Sequence, residues 1–194
     1  MKPALLVIDM QNDFRKGKSE YSCEMLGKKL IKKVKNLIEF CRSKKIPIIY
    51  TQHTIKPDKS NAEIGEPENV RACIEGTKGW EIIEEIKPKD KDIIIRKDRF
   101  DAFFKTNLEE ILKGLNINTV ILCGVLTNNC VRATAEGAYQ RNYKVIIISD
   151  CCGATSYVKG ISHKKVHDFT LKDLEGRTYE IKVTSFKGLT GLIK

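Results

Sequence analysis

Short apolar runs of strand length recur along the chain, with helical stretches between them. Ala4–Ile8, Pro47–Thr51, Asp92–Arg96, Thr119–Cys123, Lys144–Ser149 and Tyr179–Thr184 read as six strands. The amphipathic stretch Cys23–Lys44, the segment Asn107–Lys113 closed by Gly114, Val131–Arg141 and a stretch around Ser162–Leu174 interrupted by Gly176 read as helices, followed by a short terminal helix. The longer strands are apolar throughout rather than alternating, as expected when both faces of a sheet are covered. Strands of that kind separated by helices belong to a parallel sheet with helices packed on either side. The expectation is an α/β fold, a three-layer α/β/α sandwich with a central, mostly parallel, Rossmann-like sheet. Its 194 residues suffice for one domain with its own core, spanning 1–194.

In sheets of this type, functional side chains gather beyond the carboxyl ends of the strands. That rule nominates Asp9, Gln11 and Asp13 after the first strand, and Gln52 and His53 after the second. Lys97 follows the third; Thr127, Asn129 and Cys130 follow the fourth. Cys130 sits where the apolar run ending at Gly124 gives way to a helical pattern. A helix N-terminus offers unpaired N–H groups and a partial positive charge, which favour a thiolate and can hold a developing oxyanion. A thiol nucleophile also needs a proton acceptor. The chain has three histidines, His53, His163 and His167, and the last two lie far along in the C-terminal helical region. Asp9 is better placed to take the proton and deliver it to a leaving nitrogen. A cation at Lys97 would keep that carboxylate ionised and favour the thiolate.

The formal charge of +10 raises nucleic-acid binding as a function. The densest group, Lys28, Lys29, Lys32, Lys33 and Lys35, shares a helix with Leu30, Ile31, Val34, Leu37, Ile38 and Cys41 at helical spacing. The lysines therefore fall on its solvated face, and no aromatic residues interleave with them as a stacking surface requires. No nucleic-acid partner is expected. No apolar run approaches a membrane span, and the start of the chain lacks the features of a signal peptide. Seven cysteines without a CxxC pair suit free thiols in a reducing compartment, so a cytoplasmic location is expected. The adjacent Cys151 and Cys152 end an apolar run and read as packing.

Five ordered segments carry a family resemblance: Leu6–Phe14, Tyr50–His53, Glu75–Ile82, Lys97–Phe103 and Gly124–Val131. Together they resemble the isochorismatase-like cysteine hydrolases, the superfamily of nicotinamidase, N-carbamoylsarcosine amidase and isochorismatase. The resemblance implies an Asp9, Lys97, Cys130 catalytic triad. It also implies a cis peptide bond between Val125 and Leu126, and an oxyanion hole from the N–H groups of Leu126 and Cys130. It implies a pocket drawn from Gln11, Phe14, His53, Phe103, Thr127 and Asn129, with Leu126 beside them.

Nicotinamidases of the superfamily bind a divalent metal through an Asp-x-His after the second strand and a further His. Here the Asp position holds Thr51, and the further His falls near Ala72. A lone His53 is a poor metal site, so no metal or other cofactor is expected. With Cys130 present, hydrolysis of a small-molecule C–N bond (amide, carbamoyl or ureido) through a thioester is the leading reading. The alternatives are vinyl-ether hydrolysis of the isochorismatase type, a nicotinamidase with an altered metal site, and an inactive binding or scaffold member. Arg99 and Arg132 are the only nearby cations, and no arginine fork for a carboxylate emerges. The expected partners are a small-molecule substrate and further copies of the chain in a homo-oligomer.

Overall fold

The computed structural model describes residues 1–65, 67 and 69–193. Six strands form one sheet: β1 (Pro3–Ile8), β2 (Ile48–His53), β3 (Ile93–Lys97), β4 (Thr119–Val125), β5 (Lys144–Gly153) and β6 (Ile181–Thr184). Their order is β3-β2-β1-β4-β5-β6, and every pairing is parallel. Five α-helices flank the sheet: α1 (Lys28–Ser43), α2 (Leu108–Gly114), α3 (Arg132–Gln140), α4 (His163–Arg177) and α5 (Phe186–Leu192). Among the described residues, no helix is long and apolar enough to cross a membrane.

Alternation along each strand builds two cores. Leu5, Val7, Ile48, Tyr50, Ile121, Cys123, Ile146 and Ile148 pack on the side of Leu30, Ile31, Val34, Leu37, Ile38 and Cys41 of α1. Ala4, Leu6, Ile8, Ile49, Ile95, Val120, Leu122, Val145 and Ile147 face the opposite layer, with Leu108 and Leu112 of α2, Ala135 and Ala138 of α3, and Leu171 and Leu174 of α4. A strand that feeds apolar side chains to both layers has no polar face, which is why the strands read as unbroken apolar runs. On α1, Lys28, Lys29, Lys32 and Lys35 are exposed opposite that stripe, and Lys33 pairs with Asp150 at 3.1 Å.

Several boundaries differ from the sequence reading. The first long helix starts at Lys28 rather than Cys23, because Gly27 is extended at its N-cap and Cys23 is held in a loop by its N–H bond to Phe14 O at 2.8 Å. Cys23 and Leu26 are buried from turns, so their spacing mimics helical periodicity. Gly176 does not interrupt α4, which runs on to Arg177. β5 extends past Ser149 to Gly153, and Cys151 and Cys152 are buried strand residues.

Strand order reverses between β1 and β4, the position at which open α/β sheets form a crevice beyond their carboxyl ends. The two strands approach closely there. Gly124 has φ +115°, and a Cβ at this position would collide with the backbone of Ile8, so only glycine lets β4 lie against the end of β1.

Candidate active site

Three strand ends deliver Asp9, Lys97 and Cys130 to this crevice. Asp9 follows β1 directly, in the left-handed region at φ 48°. Its N–H donates to Thr51 Oγ1 at 3.1 Å, and Thr51 Oγ1 donates in turn to Asp9 Oδ1 at 2.6 Å. Lys97 is the last residue of β3, and its stem crosses the end of β2 to bring Nζ 2.7 Å from Asp9 Oδ2. The same ammonium donates to the Arg99 carbonyl at 3.0 Å and to Cys130 Sγ at 3.3 Å. The side chains of Asp9 and Lys97 are fully buried, and Cys130 is 4% exposed. Cys130 lies in the turn Thr127–Val131, a single π-type turn that runs into α3, and the Val125–Leu126 peptide bond before it is cis.

Burial of this cluster sets its proton distribution. Desolvation alone would raise the Asp9 pKa, but the Lys97 charge and hydrogen bonds from Lys97 and Thr51 hold it below the ordinary carboxylate value. Desolvation pulls Lys97 down, and Asp9 and Cys130 overcome that, leaving its pKa raised. Burial pushes the Cys130 thiol up to about 12; Lys97 lowers it and Asp9 raises it. These shifts all favour a carboxylate–ammonium pair beside a protonated thiol. Burial and the neighbouring Asp9 carboxylate thus oppose the thiolate that a helix N-terminus would favour.

Cys130 forms the floor of a cavity of about 200 Å³ lined also by Phe14, Glu20, Tyr21, His53, Glu63, Phe100, Leu126, Asn129 and Tyr157. Of the seven residues expected to form the pocket, Phe14, His53, Leu126 and Asn129 line this space. Three do not. Gln11 lies behind it, where Nε2 donates to the carbonyls of His53 at 2.9 Å and Trp80 at 2.8 Å and Oε1 accepts from His53 N at 2.8 Å. That side chain ties the end of β1 to the end of β2. Phe103 is packed into the core, stacked on Tyr143 with the Arg141 guanidinium 4.7 Å from its ring centre. The wall residue from that segment is Phe100. Thr127 is buried, with Oγ1 2.8 Å from His167 Nδ1, and anchors the turn to α4.

Tyr21, Glu20, Glu63 and Tyr157 come from loops that sequence reasoning left without a role. Tyr21 stacks on Phe14 at 6.1 Å and meets the His53 ring edge-on at 5.9 Å. Tyr157 receives a hydrogen bond from Asn129 Nδ2 at 2.8 Å. The two arginines that could have met a carboxylate are engaged elsewhere. Arg99 donates to the carbonyls of Asn61, Ala62 and Asp98, and Arg132 pairs with Glu136 at 3.2 Å and Asp173 at 3.0 Å.

The donor set does not fit a metal centre. Thr51 spends its hydroxyl on Asp9, and the buried His53 Nδ1 has no hydrogen-bond partner. Among the described residues, no three His, Cys, Asp or Glu side chains are grouped so as to hold an ion.

Residues 3–182 match the isochorismatase domain. The chain is 31% identical over 173 residues to nicotinamidase 3 of Arabidopsis thaliana, covering 88% of this chain and 79% of that protein. Its fold matches N-carbamoylsarcosine amidase of Thermoplasma acidophilum with a TM-score of 0.75 at 31% identity, covering 95% of this chain and 96% of that one. It also matches the pyrazinamidase of Pyrococcus horikoshii, solved in complex with zinc, with a TM-score of 0.81 at 28% identity, covering 96% and 100% of the two chains.

Proposed function

The chain belongs to the isochorismatase family and is a hydrolase of that family, and from this premise we propose that it cleaves a C–N bond of a small amide, carbamoyl or ureido compound by way of a Cys130 thioester. The observation that carries the reading is the buried contact set at Lys97, with Nζ 2.7 Å from the Asp9 carboxylate and 3.3 Å from Cys130 Sγ.

Each residue then has a chemical task. Asp9, kept ionised by Lys97 and oriented by Thr51, takes the thiol proton as Sγ attacks the carbonyl carbon. The carbonyl π pair moves to oxygen, and the N–H groups of Leu126 and Cys130 stabilise that oxyanion. The intermediate collapses, the C–N bond breaks, and Asp9 returns the proton to the departing nitrogen. Water then attacks the thioester and gives a proton to Asp9. The C–S bond breaks, the acid leaves, and the proton returns to Sγ. A thiol that rests protonated suits this sequence, because the acid that protonates the leaving nitrogen is loaded by the attack itself.

The test is ammonia release across a panel of small carboxamides and ureides, with mass spectrometry of acid-quenched enzyme during turnover. The expected result is an acyl adduct on the peptide carrying Cys130, and no turnover by Cys130→Ala. Turnover that survives in Cys130→Ala overturns the reading.

A further inference from the structure

We propose that His167 is a positioning residue for the oxyanion hole, acting through the buried hydroxyl of Thr127. This rests on the thioester reading above and adds to it a residue outside the cavity. Thr127 opens the turn Thr127–Val131, with Leu126 before it and Cys130 within it, the two residues whose N–H groups meet the oxyanion in that reading. Thr127 Oγ1 lies 2.8 Å from His167 Nδ1, and both side chains are buried. His167 does not line the cavity over Cys130. It reaches the turn from behind, on the face of α4 that carries Leu171 and Leu174 into the core.

The turn has reason to need this anchor. Its main-chain bonds converge on one acceptor, the Leu126 carbonyl, which receives the N–H groups of Asn129 at 3.0 Å and Val131 at 3.1 Å. Those bonds close the turn but do not fix its orientation against the sheet. A single π-type turn is uncommon and concentrates at functional sites. Positions 167, 171 and 174 follow helical core spacing, where a leucine would pack without a polar cost. A buried imidazole is tolerated there only when hydrogen-bonded, and Thr127 supplies that bond. Burial lowers the His167 pKa, helped by Lys164 and opposed by Asp168 and the Ser149 main chain, which holds the ring neutral. A neutral ring bonds a hydroxyl in either tautomer, since the hydroxyl both donates and accepts. Oxyanion donors act only where the charge develops, so a small displacement of the turn is costly.

The test compares two reactions of Cys130. In acetylation by 4-nitrophenyl acetate, Sγ attacks the ester carbonyl and its proton passes to Asp9. An oxyanion forms and collapses, and 4-nitrophenolate leaves with the electron pair of the broken C–O bond. In alkylation by iodoacetamide, Sγ displaces iodide from a saturated carbon, and no oxyanion forms. Both rates are read on the Cys130 peptide by mass, and the ratio of acetylation to alkylation reports the oxyanion hole. His167→Leu should lower that ratio about 10- to 100-fold, with alkylation within about twofold of the unaltered protein. His167→Asn places an amide where Nδ1 stood and should bring the ratio back to within about threefold. His167→Gln, whose amide reaches the place of Nε2, should not.

Thr127→Val removes the same bond from its other end. It should reproduce His167→Leu, and the double variant should be no worse than either single one. Acetylation and alkylation that fall together would show that His167 only supports the fold. A ratio unmoved in His167→Leu, a recovery in His167→Gln as full as in His167→Asn, or losses that add in the double variant also overturn the inference. If Cys130 is acetylated and the ratio follows the variants as expected while no amide or ureide is hydrolysed, the amidohydrolase reading fails and the anchor stands. A Cys130 that takes no acetyl group in the unaltered protein overturns the thioester reading and this inference with it.

Discussion

Thr51 and Asp9 are locked together by two reciprocal hydrogen bonds, the hydroxyl donating to the carboxylate at 2.6 Å and accepting from the Asp9 N–H at 3.1 Å. Thr51 stands where the metal-binding relatives implied by the sequence carry an aspartate. In this chain that position holds the Asp9 carboxylate instead, the base of the proposed mechanism. Thr51→Val keeps the shape and removes both bonds, so kcat should fall about 10- to 100-fold, the usual cost of a misplaced catalytic group. The hydroxyl also helps hold the Asp9 pKa down. Its loss should move the acid limb of the pH–rate profile upward, and Thr51→Ser should restore both rate and limb. A Thr51→Val profile that is lowered uniformly without any shift of the limb removes Thr51 from this role.

The same geometry bears on metal dependence. With Thr51 engaged and His53 the sole imidazole on the lining among the described residues, those residues do not supply the three or four donors of a zinc centre. Prolonged chelation, followed by removal of the chelator, should leave turnover unchanged. Loss of activity that returns with zinc or iron would refute this and favour a metal-dependent nicotinamidase.

The parts legible in the sequence were those that depend on strand ends. Asp9, Lys97 and Cys130 each follow an apolar run, and the parallel arrangement of those runs forces their ends to one edge of the sheet. The walls were not legible, because Tyr21, Glu63 and Tyr157 sit in loops without periodicity and approach the site only through tertiary packing. Phe103 was misassigned because Phe100 and Phe103 share one turn, and nothing local says which ring faces the pocket and which faces Tyr143. Gln11 was placed at the right strand end, but a side-chain amide there serves main-chain groups as readily as a ligand. Here it serves His53 and Trp80.

His53 gives the fold a defined acid sensitivity. It is 3% exposed, and burial, followed by the Lys97 charge, lowers its pKa from 6.5 to about 4. Below pH 6.5 the unfolded chain gains a proton that the folded chain refuses, so stability falls between pH 6.5 and about 4. The loss from this group should be about 2–3 kcal/mol by pH 4.5, measured as the change in urea unfolding free energy from pH 7. His53→Gln cannot take up a proton and should lose correspondingly less over the same interval. Equal losses in both proteins would show that His53 is not the group responsible.

Lys97 and Asp9 act on the Cys130 thiol in opposite directions, which separates their roles in a single measurement. Lys97 lowers the thiol pKa and Asp9 raises it, against a burial effect that leaves it at about 12. Cys130 lines the cavity, whereas Cys23, Cys41, Cys73, Cys123 and Cys151 are 0% exposed and Cys152 is 2% exposed, so iodoacetamide should mark Cys130 first. In Lys97→Ala, labelling should require a higher pH than in the unaltered protein. In Asp9→Asn, the unpaired ammonium of Lys97 is left facing the sulfur, and labelling should begin at a lower pH. Both variants should nevertheless lose turnover by about a thousandfold or more, one for want of an oriented carboxylate and the other for want of a base. An enzyme made more reactive toward an alkylating agent and inactive toward its substrate by the same Asp9→Asn substitution would identify Asp9 as the proton carrier. Labelling profiles that coincide in all three proteins would remove Lys97 and Asp9 from the chemistry of Cys130.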